Sequence, residues 1–304
     1  MLDLKMTKRV KTNRHNKALF QLYFIICLSI SIFFPWDNCL ALELDGNLIQ
    51  GGLVYGKIEP GAHLWLDDKP IRVSPEGNFV IGFGRKHKEI STLKAKTQNN
   101  KIIEKEIKIK QRKYETQHIS GLPPNKVTPT NDELERIRKE IILVKNVRKI
   151  DSESQDYLTG FDWPVIGRVT GVYGSQRILN DQPRSPHYGI DIAAAEGTFV
   201  RAPADGVVTF VHNDMFFSGK TLIIDHGHGL SSTFLHLSKI EVKKGDSVQK
   251  GNIIAEVGST GRSTGAHLDW RINWFARRLD PRLLTGPMPQ PLIIRPFIPK
   301  KEDI

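Results

Sequence analysis

Cysteine is nearly missing from this chain. Its 304 residues include two, Cys27 and Cys39, both within the first forty positions. If that segment is removed, no disulfide framework and no thiolate metal site remains, so any metal must be held by histidine, aspartate or glutamate. Neither cysteine sits in a lipobox, which argues against a lipoprotein. Long apolar runs are scarce too. The one present extends from Ala18 to Phe34, behind Lys5, Lys8, Arg9, Lys11, Arg14 and Lys17, and Pro35 ends it. With the small-x-small stretch Cys39-Leu40-Ala41 it reads as a secretory leader cleaved after Ala41. An uncleaved membrane anchor is the second reading, because the run approaches the roughly 20 residues that span a bilayer. The expected location is therefore the periplasm or cell envelope.

Acidic residues are fewer than basic ones, and the chain carries a net charge of +11. The leader holds six basic against two acidic residues, so the remainder keeps about +7. Much of this excess lies between Arg85 and Lys113, with eleven Lys/Arg against three Glu. Nucleic acid is the reflex partner for such a run, but an exported chain seldom meets it. An anionic envelope polymer or membrane surface fits that compartment better, and a solvated strand face is the plainer alternative. A length of 304 residues suggests two domains, and 39% hydrophobic content supplies an ordinary soluble core.

Helical periodicity is sparse, so the expected fold class is mainly β. From Leu42 to Tyr114, apolar runs such as Val54–Lys57, His63–Leu66 and Phe79–Ile81 alternate with Pro60-Gly61, Asp67-Asp68 and Pro75–Asn78. That spacing predicts a small β-sandwich. In KIIEKEIKIK, Ile103, Ile107 and Ile109 share one face while Glu104, Glu106, Lys108 and Lys110 share the other, as in a half-buried strand. His63 and His87 are read here as incidental. Gly121–Pro124 and Thr128-Pro129 form a stiff linker. Thr130 with Glu133 makes a capping box, and Leu134, Ile137, Ile141 and Val144 follow at helical spacing, predicting a helix over 131–147. Phe161-Asp162-Trp163-Pro164 then opens a second β-rich region, with strands predicted at 206–211, 221–225, 232–236 and 253–257. The resulting division is 1–41 leader, 42–120 accessory β domain, 121–160 linker and helix, 161–287 C-terminal β-sheet domain, and 288–304 tail.

Three stretches of the second region carry donor side chains. In GAHLDW, His267 and Asp269 stand two apart, so on a strand they share a face. SPHYGID places His187 and Asp191 four apart, a spacing that converges on a helix or an extended segment alike. STFLHLS ends a period-2 run with His236. Each has a plain structural reading: a packed histidine, an ion pair, a chance spacing. Together they supply nitrogen and oxygen donors of the kind zinc binds at about 2.0–2.2 Å.

The segment from Phe161 to Pro287 resembles the lysostaphin/LytM-type zinc endopeptidases of bacterial cell walls. The matching stretches are FDWPVIGRVTGVYG, SPHYGIDIAAAEGTFVRAPADGVVTFV, TLIIDHGHGLSSTFLHLS, VKKGDSVQKGNIIAEVGSTGRSTGAHLDW and RRLDP, in the family's order. The combination is specific although no single piece is. By this resemblance His187 and Asp191 fall on the H-x-x-x-D motif as two metal ligands, and His236 falls on a catalytic histidine. The family's closing H-x-H places a second catalytic histidine on His267 and its third zinc ligand on Asp269, where a carboxylate replaces the usual imidazole. The resemblance implies one zinc ion per chain, held by His187, Asp191 and Asp269, with another divalent cation more conceivable than usual because two carboxylates lower the charge on the metal.

The implied activity is hydrolysis of peptide cross-links in peptidoglycan, with a D-alanyl–diaminopimelate bond as the natural guess for a Gram-negative wall. The rival reading is a catalytically inactive regulator that activates a wall amidase, and a third is a pure wall-binding module docking through the basic strand. An envelope or divisome protein is a further expected partner, and nucleic acid is not. His226 and His228 are expected to border the cleft, and His212 to lie on the surface. Tyr173 and Tyr188 are candidates for oxyanion stabilisation or substrate contact. Arg177, Arg184, Arg201 and Arg262 are candidates for muropeptide carboxylates, solvation being the commoner fate of such arginines.

Overall fold

The computed structural model describes residues 42–121 and 127–289. The expected leader, the centre of the proline linker and most of the tail lie outside the described residues. The described residues belong to one compact unit.

The alternation of apolar and breaker residues folds as short strands: β1 (Glu43–Gly46), β2 (Leu53–Lys57), β3 (His63–Leu66), β4 (Lys69–Ile71), β5 (Asn78–Gly82), β6 (Ile90–Lys96), β7 (Ile102–Lys108) and β8 (Thr116–Ile119). Strands β1, β2 and β5 make one sheet, and β4, β3, β6 and β7 another. Ile107 and Ile109 are buried, while Glu104, Glu106, Lys108 and Lys110 face water. The charges of this stretch, one part of the basic run, are thus the wet side of a two-faced strand.

One α-helix, α1 (Asn131–Val147), follows among the described residues. Its capping box is complete: Glu133 N–H donates to the Thr130 hydroxyl, and Thr130 N–H donates to the Glu133 carboxylate at 2.8 Å. Ile137 and Glu140 are the side chains it buries. Glu140 is a surprise at that position. Both of its oxygens accept the Phe216 N–H, at 3.1 and 2.9 Å, and Arg136 Nε donates to it at 2.8 Å. A buried carboxylate is tolerable when its oxygens are occupied in this way. Val144 and Val147 pack against Phe210, Met215 and Ile223, whereas Ile141 stays 58% exposed.

Thirteen further strands carry the rest: β9 (Arg168–Gly171), β10 (Gln176–Leu179), β11 (Gln182–Arg184), β12 (Ile190–Ala193), β13 (Phe199–Arg201), β14 (Gly206–Met215), β15 (Gly219–Gly227), β16 (Leu230–Leu237), β17 (Lys239–Ile240), β18 (Ser247–Val248), β19 (Ile253–Glu256), β20 (His267–Trp274) and β21 (Arg277–Leu279). The main sheet runs β18–β14–β15–β16–β20–β12–β9, with β21 also on β20. Strand β16 is buried along its whole length. The fold is mainly β, with a β-sheet C-terminal domain and a β-rich N-terminal region.

The two regions share one apolar cluster that includes Phe79, Phe83, Trp270, Trp274 and Leu279. Polar links reinforce it. Arg112 pairs with the buried Asp280 at 2.9 Å, Arg277 donates to the Gly82 carbonyl at 2.9 Å, and Asp280 N–H donates to the Gly51 carbonyl at 2.8 Å. Strand β8 also pairs in parallel with β10, so N-terminal chain covers one edge of the strand that carries Arg177. Among the described residues, no helix is long and apolar enough to cross a membrane.

Candidate metal centre

Strands β12 and β20 pair antiparallel with Asp191 directly opposite Asp269 and Ala193 opposite His267. Register therefore sets two carboxylates side by side on one face, an arrangement that is unfavourable unless positive charge meets it. Period-2 geometry brings His267 to the same face as Asp269. His187 enters from the turn before β12, where its N–H donates to Ser175 O at 2.9 Å and its carbonyl accepts from Gly174 N–H at 2.8 Å.

His236 arrives differently. Leu235 is the residue opposite Asp269 in the β16–β20 pairing, so strand parity would point His236 to the other face. His236 has φ +62°, a left-handed conformation uncommon outside glycine, and its ring lies 4.8 Å from that of His267, centroid to centroid, at 45°. The backbone twist puts this imidazole beside the others.

Two glycines make room for the carboxylates. A Cβ on Gly171 would stand 2.2 Å from Asp191 Oδ2, and one on Gly189 would stand 2.6 Å from Asp269 Oδ1. Neither position tolerates a side chain without moving a carboxylate.

One donor atom each from His187, Asp191 and Asp269 lies within 4.8 Å of the others, and all three residues are buried. His187 Nε2 is 3.1 Å from Asp191 Oδ1, and His267 Nε2 is 3.8 Å from that same oxygen. Both ring nitrogens of His187 and Asp191 Oδ1 are buried without a hydrogen-bond partner. Buried polar atoms are rarely left so, and a cation bound between them would satisfy them together. The residues present fit a divalent ion: one nitrogen and two oxygen donors, all able to bind deprotonated.

Two arginines attend the carboxylates. Arg177 Nη2 donates to Asp191 Oδ2 at 2.5 Å. Arg271 grips Asp269 with two bonds, Nε to Oδ1 at 2.9 Å and Nη2 to Oδ2 at 2.5 Å. Each carboxylate oxygen has a second lone-pair direction, so these bonds leave room for a metal. Burial alone would push both carboxyls up. The facing groups win, His187 and Arg177 at Asp191 and Arg271 and His187 at Asp269, and hold both below the usual carboxylate range.

The two remaining imidazoles have fixed tautomers. His236 Nδ1 sits 2.7 Å from the Thr260 carbonyl and His267 Nδ1 sits 2.8 Å from the Gly265 carbonyl. A carbonyl can only accept, so Nδ1 carries the proton in both and Nε2 is left as a base. Burial pushes the His236 imidazole down to about 4, so it is neutral near pH 7.

Other residues singled out in the sequence fall elsewhere. His226 is fully engaged, Nδ1 with Asp205 O at 2.6 Å and Nε2 with Ser232 Oγ at 2.8 Å, and is part of the packing. His228 packs edge-on against Tyr157, away from the donors. The Tyr173 hydroxyl donates to Arg278 O at 2.7 Å, which commits it to structure. Arg177 serves Asp191 rather than standing ready for a ligand, Arg184 donates to Val127 O, and Arg201 donates to Gly251 O. Arg262 stacks on Phe217 at 4.3 Å. Arg271 was not singled out, although its place two residues after Asp269 on a strand was a usable signal.

The pattern of Peptidase family M23 matches residues 185–281. Over 159 residues the chain is 33% identical to the peptidoglycan DD-endopeptidase ShyA of Vibrio cholerae, covering 52% of this chain and 34% of that protein. It is 31% identical over 119 residues to the murein hydrolase activator NlpD of Escherichia coli, covering 39% of this chain and 29% of that one. A solved structure from Pseudomonas aeruginosa assigned to peptidase M23 superposes with a TM-score of 0.62 at 28% identity, covering 78% of this chain and 95% of that one. The chain spans between about a fifth and a third of the length of the curated relatives it matches first.

Proposed function

We propose, from the premise that residues 185–281 are a domain of peptidase family M23, that this chain is an exported zinc metallo-endopeptidase cutting peptide cross-links of peptidoglycan. The observation that carries the reading is the buried set of His187, Asp191 and Asp269, in which the His187 ring nitrogens and Asp191 Oδ1 lack a hydrogen-bond partner and lie beside two imidazoles whose Nε2 atoms carry no proton. A zinc ion held there would supply Lewis acidity to the scissile carbonyl and to the attacking water. His187, Asp191 and Asp269 would hold it. His236 and His267 would take the proton from water and return one to the leaving amine, each ring held in the basic tautomer by a backbone carbonyl. Arg177 and Arg271 would keep the two carboxylates ionised and oriented.

The reading is tested by mass analysis of muropeptides after digestion of cross-linked peptidoglycan by the metal-loaded protein, with Asp269→Ala and His236→Ala alongside. New free amines should appear with the parent chain and not with either variant. Intact cross-links after prolonged digestion by the parent chain on several wall types would end it.

A second reading, an inactive activator of a wall amidase, has its own support in the likeness to NlpD, whereas the aspartate at the third ligand position, itself able to ligate zinc, favours the enzyme. Metal content separates the two. Stoichiometric zinc that vanishes in Asp269→Ala speaks for the enzyme, and none in either protein speaks for the activator.

A further inference from the structure

His187, Asp269 and His236 line a cavity of about 1150 Å³, and α1 supplies one wall through Leu134, Ile137 and Val144. Cations crowd this cavity. Arg148, Arg177, Arg184, Arg262, Arg271 and Arg278 all line it, against the acids Asp269 and Glu140. Some of these charges are already matched, Arg177 by Asp191 and Arg271 by Asp269.

Arg148 and Arg278 are not. Among the described residues neither guanidinium has a carboxylate within ion-pair distance, and Arg148 Nε and Arg278 Nη1 are buried without any hydrogen-bond partner. Among the described residues the Arg278 guanidinium stands 5.8 Å from the Tyr188 ring. Their charges oppose one another. Burial, then Arg278 and Arg271, holds Arg148 well below its ordinary value, and burial with Arg271 brings Arg278 down to about 10. Arg148 caps the C-terminus of α1, where the helix dipole favours a cation. That accounts for one arginine and leaves Arg278 unexplained.

Resting on the peptidase reading, we propose that Arg148 and Arg278, with Arg271 behind them, form a subsite for a carboxylate carried by the substrate residue next to the bond that is cut. A guanidinium presents parallel donors that match a carboxylate, as Arg271 already shows on Asp269. The two arginines come from different places, the C-cap of α1 and β21, and face one cavity with His187 and Asp269. An acidic peptide therefore enters with its charge on the arginines and its backbone over His187 and Asp269.

The test uses the full chain and two cleavage-resistant peptides that differ only in a carboxylate or a carboxamide beside a reduced scissile bond. Calorimetry should show the carboxylate peptide binding about tenfold tighter or more, in keeping with a charged hydrogen-bonded pair. Arg148→Met and Arg278→Met keep the apolar stem and remove a buried charge, so both should fold, which thermal melting checks. Each should shrink the preference toward unity. Equal binding of both peptides by the parent chain, or an undiminished preference in both variants, overturns the subsite. Scissile versions of the same peptides separate this from the peptidase reading. Preference without hydrolysis leaves the subsite and removes the peptidase; equal hydrolysis of both does the reverse.

Discussion

At the scale of single residues the site is an exercise in charge matching, and its variants should behave accordingly. Asp269→Ala should abolish metal retention, read as metal per chain after gel filtration. Arg271→Met keeps the ligand but removes its partner, and should weaken metal affinity about 10- to 100-fold in a chelator competition. Gly171→Ala forces Asp191 from its place, because a Cβ would sit 2.2 Å from Oδ2. It should cost about 1–3 kcal/mol in denaturant melts, as overpacking does. His226 gives a pH signature away from the metal. Burial pushes it down to about 4, whereas the unfolded chain protonates near 6.5. Its contribution is complete above pH 6.5 and is lost as pH falls toward 4, because the unfolded state then binds the extra proton. Roughly 3 kcal/mol should disappear across that window, and His226→Gln should flatten the slope measured by urea melts at several pH values. Residue type and spacing were enough to pick out His187, Asp191, His236, His267 and Asp269 as donors, while their division into ligands and bases came from the resemblance. The partners were not legible: that Arg177 belongs to Asp191 depends on how β10 lies against β12, which no local pattern encodes.

At the scale of elements, the helix was the easiest to read, since its capping box and apolar spacing are local. Thr130→Ala removes one half of that box and should cost about 1 kcal/mol, seen as a lower melting temperature. A change no larger than a surface substitution would mean that packing on β14 alone holds α1. Glu140 was not legible, because its partner Phe216 lies 76 residues away. Strand parity found His267 with Asp269 but misplaces His236, whose left-handed backbone reverses the face. Period-2 reasoning assumes extended φ throughout, and it fails where the chain departs from that. The parallel pairing of β8 with β10 was equally hidden, being a contact between segments with no shared pattern.

At the scale of the whole molecule, the apolar cluster running from Phe79 to Leu279 ties both β regions into one cooperative body. Calorimetry should show a single transition for residues 42–289. Arg112→Met leaves the carboxylate of Asp280, 1% exposed, without its strongest partner. It should lower that one transition by about 3 kcal/mol rather than split it; two separate peaks would contradict the shared core. Composition signalled β structure and an ordinary core, but not that the two halves merge, since merging rests on shape complementarity between distant surfaces. The β8–β10 seam has a practical side for anyone excising the C-terminal half. A fragment starting at 161 would bare the β10 edge and remove a cavity wall, inviting strand-to-strand clumping. One starting at Leu42 would keep that border sealed.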